Sequence, residues 1–368
     1  MRPMKKLTVA LLFGGKSGEH EVSLRSAASI LKALDREKYH VIPIGITKEG
    51  QWRSDPKFLE AAFPEILSNG RTVLLPPDPL GNSLMQVLSD SKVIGNEASI
   101  DVVFPALHGT YGEDGTIQGL LDMANLPYVG AGVLGSSVGM DKDVMKRLLQ
   151  HAGLPIVDFL MVLDHQWEEK KEAVRRAIGE KLGYPCFVKP ANLGSSVGIS
   201  KVKTAAALDS AMDLAAQYDR KIVIEKGLDA REIECSVLGN DDPIASLPGE
   251  IVPSHEFYDY ESKYLDESSR LLIPAPLEES QTKTVQDLAI RTFLVTECSG
   301  LARVDFFLEK ATHQIYVNEI NTLPGFTSIS MYPKLWQATG LGYSELIDKL
   351  IQLAIERHEG RQSKKTTY

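Results

Sequence analysis

Two segments late in the chain, RVDFFLE and YVNEIN, place charged and amide side chains in what otherwise read as core strands. Side chains alternate along a strand, so Arg303, Asp305 and Phe307 share one face, and Glu319 and Asn321 share another. If a short hairpin turn joins the strands, Asp305 falls opposite Glu319 and Arg303 opposite Asn321. Two carboxylates and an amide converging through oxygen suit a hard divalent cation, and two cations sharing one carboxylate suit a nucleoside triphosphate. Taken alone, the same residues also read as a solvated sheet face with an Arg–carboxylate pair. Directly after Asn321 comes TLPGFTS, where Pro and Gly end the strand and expose backbone N–H groups that could hold a developing oxyanion.

The hexapeptide LGSSVG occurs at 134–139 and again at 193–198. The second copy lies in CFVKPANLGSSVGIS, where a strand carrying Lys189 at its end leads through small residues into another strand. A lysine with loop amides makes a phosphate clamp, although the G-x-x-x-x-G-K-[ST] pattern is absent. The first copy runs into the helix that begins near Asp141, and it reads as an interdomain hinge whose small residues serve turn geometry. The strand IVIEKGLDAREIE adds Glu225, Lys226 and Glu232: an edge with backbone groups for a flat base and a carboxylate for a ribose.

The elements that must position these residues follow from the apolar periodicity. LTVALLF, a Gly-rich turn, the helix EVSLRSAASILKALD and the strands HVIPIGI and IDVVFPAL predict a parallel α/β unit. Residues 51–96 are irregular and rich in Pro, Gly and Ser, and read as a peripheral insertion. From about Asp141 the pattern is a small α+β unit with the glycine loop in its middle, ending at the strand IVIEK. A third unit starts near Arg231, includes the helix TVQDLAIRTFLVT, and ends with the two acid-bearing strands. The expected domains are thus 1–140, 141–230 and 231–368.

A chain of 368 residues with 43% hydrophobic and 24% charged residues reads as a soluble protein of two or three domains, with no run long enough to span a bilayer. The start MRPMKKLTVALLFGG imitates a secretory signal but leads into a charged segment without a small-x-small cleavage site, so a buried first strand is the better reading. Three scattered cysteines show neither metal spacing nor an even disulfide set, and cytoplasmic residence follows as the default. A net charge of -9 counts against a nucleic-acid surface.

The ordered set GGKSGEHEVS, HGTYGEDG, FVKPANLGSSVG, IEKGL, FYDYESKY, RVDFFL and VNEINTLPGFTS resembles the D-alanine:D-alanine ligases of the ATP-grasp superfamily. Each motif is weak alone; seven in order are specific, and they span nearly the whole chain except 51–96 and the tail. The resemblance implies a three-domain ATP-grasp architecture, α/β and α+β, with an N-terminal parallel α/β domain. It implies ATP as co-substrate, held by Lys142, Lys189, Glu225, Lys226, Leu228 and Glu232, and two Mg2+ ions, or Mn2+, on Asp305, Glu319 and Asn321. Glu19 then anchors the amino group of the first D-alanine, with His108 at the same pocket. Arg303 and the Gly325 amide stabilise the tetrahedral intermediate, and Ser330 meets the second substrate's carboxylate. Ser195, which also reaches phosphate, and Tyr264 join Glu19 in a hydrogen-bonded chain that orders the closing loop, with Lys263 beside it.

The implied reaction is ATP-dependent formation of D-alanyl-D-alanine through an acyl phosphate, for peptidoglycan precursors, in a cytoplasmic homodimer with no nucleic-acid or membrane partner. Tyr264 goes with an amine acceptor and argues against a D-lactate ligase, while a D-serine acceptor stays open. A catalytically silent relative would be expected to lose a metal ligand or Arg303, and all four residues are present. A dinucleotide-binding dehydrogenase is disfavoured because GGKSGEHE lacks G-x-G-x-x-G spacing. Asn192 and Leu193 stand where relatives often carry charge.

Overall fold

The computed structural model describes residues 6–55, 63–79, 81, 83–87, 93–194, 197–252 and 270–365, with backbone alone for 93–98. Strand β1 (Leu7–Gly14) is buried along nearly its whole length, as expected of a parallel strand covered on both faces. It pairs in parallel with β2 (Tyr39–Ile46) on one side and β7 (Val102–Pro105) on the other. Gly14 ends the strand with φ +86°, where a Cβ would lie 2.2 Å from the Ile46 carbonyl oxygen, so the turn into helix α1 (His20–Ala33) needs glycine.

The segment expected to be an irregular insertion is instead the other half of this sheet. Strands β3 (Trp52–Ser54), β4 (Arg71–Leu74), β5 (Ser83–Val87) and β6 (Val93–Ser99), with helix α2 (Phe63–Asn69), extend it antiparallel to a seven-stranded order β6-β5-β4-β3-β2-β1-β7. These strands are short and set among Pro, Gly and Ser, so periodicity alone misses them.

After α3 (Thr116–Met123) comes the first LGSSVG copy, which is not a hinge but most of helix α4 (Val133–Met140). Its small residues serve close packing. A Cβ on Gly135 would sit 2.4 Å from the Glu297 carbonyl oxygen, and one on Gly139 2.8 Å from Thr322 Cγ2. Asp141 then caps α5 (Lys142–His151), its carboxylate accepting the Val144 N–H.

The middle sheet has the order β10-β9-β11-β8, all antiparallel, from β8 (Phe159–Leu163), β9 (Cys186–Pro190), β10 (Ser200–Val202) and β11 (Lys221–Lys226). One face carries Val188, Ile222 and Ile224 into a core with Trp167 of α6 (Asp164–Glu169), Ile178 of α7 (Lys171–Lys181) and Met212 of α8 (Leu208–Ala215). Alternation leaves Lys189 and Glu225 on the opposite face.

The last sheet is built on β12 (Ala230–Gly239), flanked by β13 (Ile244–Ala245), β14 (Gly249–Val252) and β15 (Arg270–Leu272), and by β16 (Gly300–Glu309) and β17 (Ile315–Asn321). Val304, Phe306 and Leu308 pack with Val285, Leu288 and Phe293 of α9 (Glu279–Val295), so Arg303 and Asp305 emerge on the other face. The chain does not end on these strands as expected: α10 (Met331–Ala338) and α11 (Tyr343–Gln362) follow. Leu346, Ile347, Leu350 and Ile351 of α11 are fully buried in the same core as Val9, Leu11 and Phe104 of the first sheet. Arg357 secures that docking, with its guanidinium 4.4 Å from the Tyr128 ring centroid and donating to the carbonyls of Tyr128 and Gly130.

Candidate active site

On the middle sheet Lys189 pairs with Val223, so Glu225, two residues along, is its diagonal neighbour on the same face. Lys189 Nζ donates to Glu225 Oε2 at 2.7 Å, and Lys146 Nζ of α5 lies 3.1 Å from Oε1. Burial disfavours the Glu225 charge, but the two ammonium groups outweigh it and hold the carboxyl pKa at about 2. Burial works against Lys189 as well, and the carboxylates of Glu225 and Glu319 more than offset it, so its pKa is raised. For Lys146 burial prevails and the pKa is lowered. Lys146 escaped the sequence reading; its signal is the four-residue spacing from Lys142, which puts both on one helical face.

Lys142 joins this cluster to the last sheet. Its Nζ donates to the Leu193 carbonyl at the start of the glycine loop at 2.7 Å and lies 3.8 Å from Glu319 Oε2. Lys226 is exposed at the end of β11, Leu228 is half-buried after it, and Glu232 lies in β12 paired with Ile251 and Phe307.

The expected register of the acid-bearing strands is present: Asp305 faces Glu319 and Arg303 faces Asn321, with an irregularity just after Asp305. Arg303 grips Asp305 with Nε and Nη2, each at 2.7 Å, and Asn321 Nδ2 donates to Asp305 Oδ2 at 2.9 Å. Arg303 Nε also lies 3.0 Å from Oε2 of Glu234, the β12 residue paired with Asp305. Glu234 was not singled out from the sequence, although the E-I-E alternation puts it on the same face as Glu232. Burial opposes the Arg303 charge, but Asp305 and Glu234 outweigh it and raise its pKa far above the ordinary value. Among the described residues no three His, Cys, Asp or Glu gather as a metal site. The donors of Asp305, Glu319 and Asn321 are two carboxylates and an amide, an oxygen set that fits Mg2+ or Mn2+ and not a thiolate- or imidazole-bound ion.

The remaining residues meet where the first sheet faces these two. The Glu19 carboxylate, just before α1, lies against two glycines: a Cβ on Gly109 would be 2.6 Å from Oε2, and one on Gly194 3.0 Å. It therefore touches both the HGT turn and the glycine loop. His108 is 5% exposed and borders a cavity of about 300 Å3 that opens toward Gly15, Lys16 and Tyr111. Its Nδ1 lies 3.0 Å from the Leu323 carbonyl and its Nε2 2.9 Å from Ser26 Oγ. Burial works against a charge on this imidazole, but Glu113, with Oε1 3.6 Å from Nδ1, raises its pKa. Ser330 precedes α10; its Oγ accepts the Thr327 N–H at 2.9 Å, and a Cβ on Gly325 would sit 2.7 Å from that oxygen. Ser195, Lys263 and Tyr264 lie outside the described residues.

Known proteins resemble this chain over its whole length. The family description D-ala D-ala ligase N-terminus matches residues 8–131, and D-ala D-ala ligase C-terminus matches residues 148–352. A D-alanine--D-alanine ligase of Heliobacterium modesticaldum is 52% identical over 363 residues, covering 99% of this chain and 98% of that protein. One from Natranaerobius thermophilus is 50% identical over 366 residues, covering 99% of each. Among solved structures, the D-alanine-D-alanine ligase from Coxiella burnetii superposes with a TM-score of 0.86 at 40% identity, covering 98% of this chain and 97% of that one. The VanG D-Ala:D-Ser ligase from Enterococcus faecalis superposes with a TM-score of 0.84 at 35% identity, covering 95% of this chain and 100% of that one. With both family descriptions matched in order and half of all residues shared with relatives along their full length, this chain belongs to the D-alanine–D-alanine ligase family, with its ATP-grasp fold.

Proposed function

We propose that this chain joins two D-alanine molecules into D-alanyl-D-alanine, with cleavage of ATP to ADP and phosphate, for peptidoglycan precursors. The observation that carries this reading is Lys142, whose ammonium lies between the glycine loop and Glu319 and so brings a phosphate-type cluster and an oxygen-donor set to one cleft. Glu19 holds the ammonium of the first D-alanine, whose carboxylate oxygen attacks the γ-phosphorus as the bond to ADP breaks, giving an acyl phosphate. Asp305, Glu319 and Asn321 would hold Mg2+, which when bound would supply charge neutralisation at the triphosphate.

Lys142 and Lys189 present ammonium groups to the phosphates. Strand β11 is interior, between β8 and β9, and not the edge the sequence suggested. The chain leaving it at Lys226 and Leu228 therefore offers groups to the base, Glu225 acts through its carboxylate between Lys146 and Lys189, and Glu232 offers a carboxylate to the ribose. Ser330 takes the carboxylate of the second D-alanine, and that molecule's free amine attacks the acyl carbonyl. As the C–N bond forms, Arg303 and the Gly325 N–H oppose the charge on the oxyanion; the C–O bond to phosphate then breaks, and the new ammonium loses its proton. Water would hydrolyse the acyl phosphate, so the glycine loop, with Gly194 against Glu19 and the Leu193 carbonyl on Lys142, serves as a cover.

The test is phosphate release with ATP, Mg2+ and D-alanine alone, then with D-serine or D-lactate added, with products identified by mass. D-alanyl-D-alanine from D-alanine alone is expected. A protein that binds ATP but makes only a D-serine or D-lactate product, or none, would overturn the reading.

A further inference from the structure

Two cross-links from the first sheet reach into the loop that follows β17. His108 Nδ1 contacts the Leu323 carbonyl across 215 residues of sequence, and the Phe326 N–H donates to Ser26 Oγ of α1 at 3.2 Å across 300. The two supports are themselves joined, because His108 Nε2 lies 2.9 Å from Ser26 Oγ. A carbonyl only accepts, so Nδ1 carries a proton. Nε2 then accepts the Ser26 hydroxyl when the ring is neutral, or donates to it when charged, and the brace stands in either state.

What the brace holds follows from the planarity of the peptide unit. The Leu323 carbonyl belongs to the peptide plane before Pro324, and the Phe326 N–H belongs to the plane after Gly325. The plane between them carries the Gly325 N–H, and Pro324 fixes its own φ through its ring. Phe326 is pinned further: Tyr343 Oη donates to its carbonyl at 2.9 Å, and its ring meets Phe104 edge-on at 5.9 Å. Among the described residues the Gly325 N–H donates to no group. Ser26 is fully buried and His108 is 5% exposed, so neither is spent on solvent.

We propose that Ser26 and His108 are positioning residues that aim the Gly325 N–H at the reacting carbonyl by fixing the peptide planes on either side of it. The inference rests on the reading that this amide meets the oxyanion. A donor aimed at charge that develops only in the transition state acts on kcat more than on substrate binding.

The experiment compares wild type with Ser26→Ala and with Ser26→Cys, which keeps the shape of the side chain while weakening its hydrogen bonds. Steady-state kinetics are read beside ATP affinity and the affinity of a phosphinate analogue of the dipeptide, whose tetrahedral phosphorus stands for the reacting carbon. In Ser26→Ala, kcat should fall roughly 10–100-fold, the loss expected when a donor is displaced by a fraction of an ångström. Phosphinate affinity should fall by a similar factor, ATP affinity should stay within about twofold, and Ser26→Cys should lie between. Unchanged kcat and phosphinate affinity would overturn the proposal, as would losses shared equally by ATP binding, which mark general loosening. The underlying reading is checked apart from Ser26, by the 15N–1H signal of Gly325 in wild type. If it moves on phosphinate binding while Ser26→Ala changes nothing, the brace is wrong; if it does not move in wild type, the oxyanion role of Gly325 is wrong.

Discussion

Lys146 shows what one buried cation does for its neighbours. Glu225 carries one negative charge between two ammonium groups, so the trio presents a net positive charge to an anionic ligand. Replacing Lys146 with Met leaves a neutral Lys189–Glu225 pair and one partner missing from a buried ion cluster. We expect stability to fall by about 2–4 kcal/mol, and ATP to bind roughly tenfold more weakly; thermal unfolding and calorimetric titration check each. The pH dependence has a definite sign. Glu225 titrates at about 2 in the fold against an ordinary 4.5, so its stabilisation is complete above pH 4.5 and is lost as the pH falls toward 2. In urea unfolding, the stability gap between wild type and Glu225→Gln should be largest above pH 4.5 and close as the pH drops toward 2. Much of this chemistry was legible: strand alternation, with a short hairpin turn assumed between the strands, put Asp305 opposite Glu319. Lys146 and Glu234 were not, because a lysine in KDVMKRLLQ and a glutamate in EIEC look like surface residues until the partner strand is known.

At the scale of elements, the repeated hexapeptide is instructive. In the copy at 193–198 the described residues Leu193, Gly194, Val197 and Gly198 lie outside helix and strand, whereas the copy at 134–139 is helical, although Gly and Ser are poor helix formers. What decides the difference is the neighbour: Gly135 and Gly139 let α4 approach the Glu297 turn and the end of β17, the strand that carries Glu319 and Asn321. Gly135→Ala should therefore cost about 1–3 kcal/mol or more, since the added methyl meets backbone. Ser137→Ala removes only a hydrogen bond to the Asp114 carbonyl on the surface and should cost under about 1 kcal/mol. Melting temperatures of the two variants distinguish packing from local propensity; equal shifts would contradict the account. No periodicity encodes a helix chosen for its thinness, and the short antiparallel strands of 52–99 escaped for a related reason, each being too brief to show alternation.

For the whole molecule, the decisive feature is the return of α11 to the first sheet. The spacing of Leu346, Ile347, Leu350, Ile351 and Ala354 is that of a helix, but nothing in it names a partner hundreds of residues earlier. Four fully buried aliphatic side chains are worth on the order of 10 kcal/mol, comparable to the net stability of a whole domain. Residues 1–140 expressed alone should thus be molten, binding a hydrophobic dye and unfolding without a sharp transition, and adding a peptide of residues 343–362 should restore a cooperative melt. A fragment that melts cooperatively unaided would show that the helix is dispensable.

The same docking sets an order of events during synthesis. Lys38 pairs with Asp348 across 310 residues, so the first sheet leaves the ribosome long before the helix that covers it exists. Its apolar face must wait, through the making of two further sheets, in a state that invites aggregation or chaperone capture. The first sheet is then among the last parts to be finished, and the nascent protein is vulnerable on a face that the mature one buries.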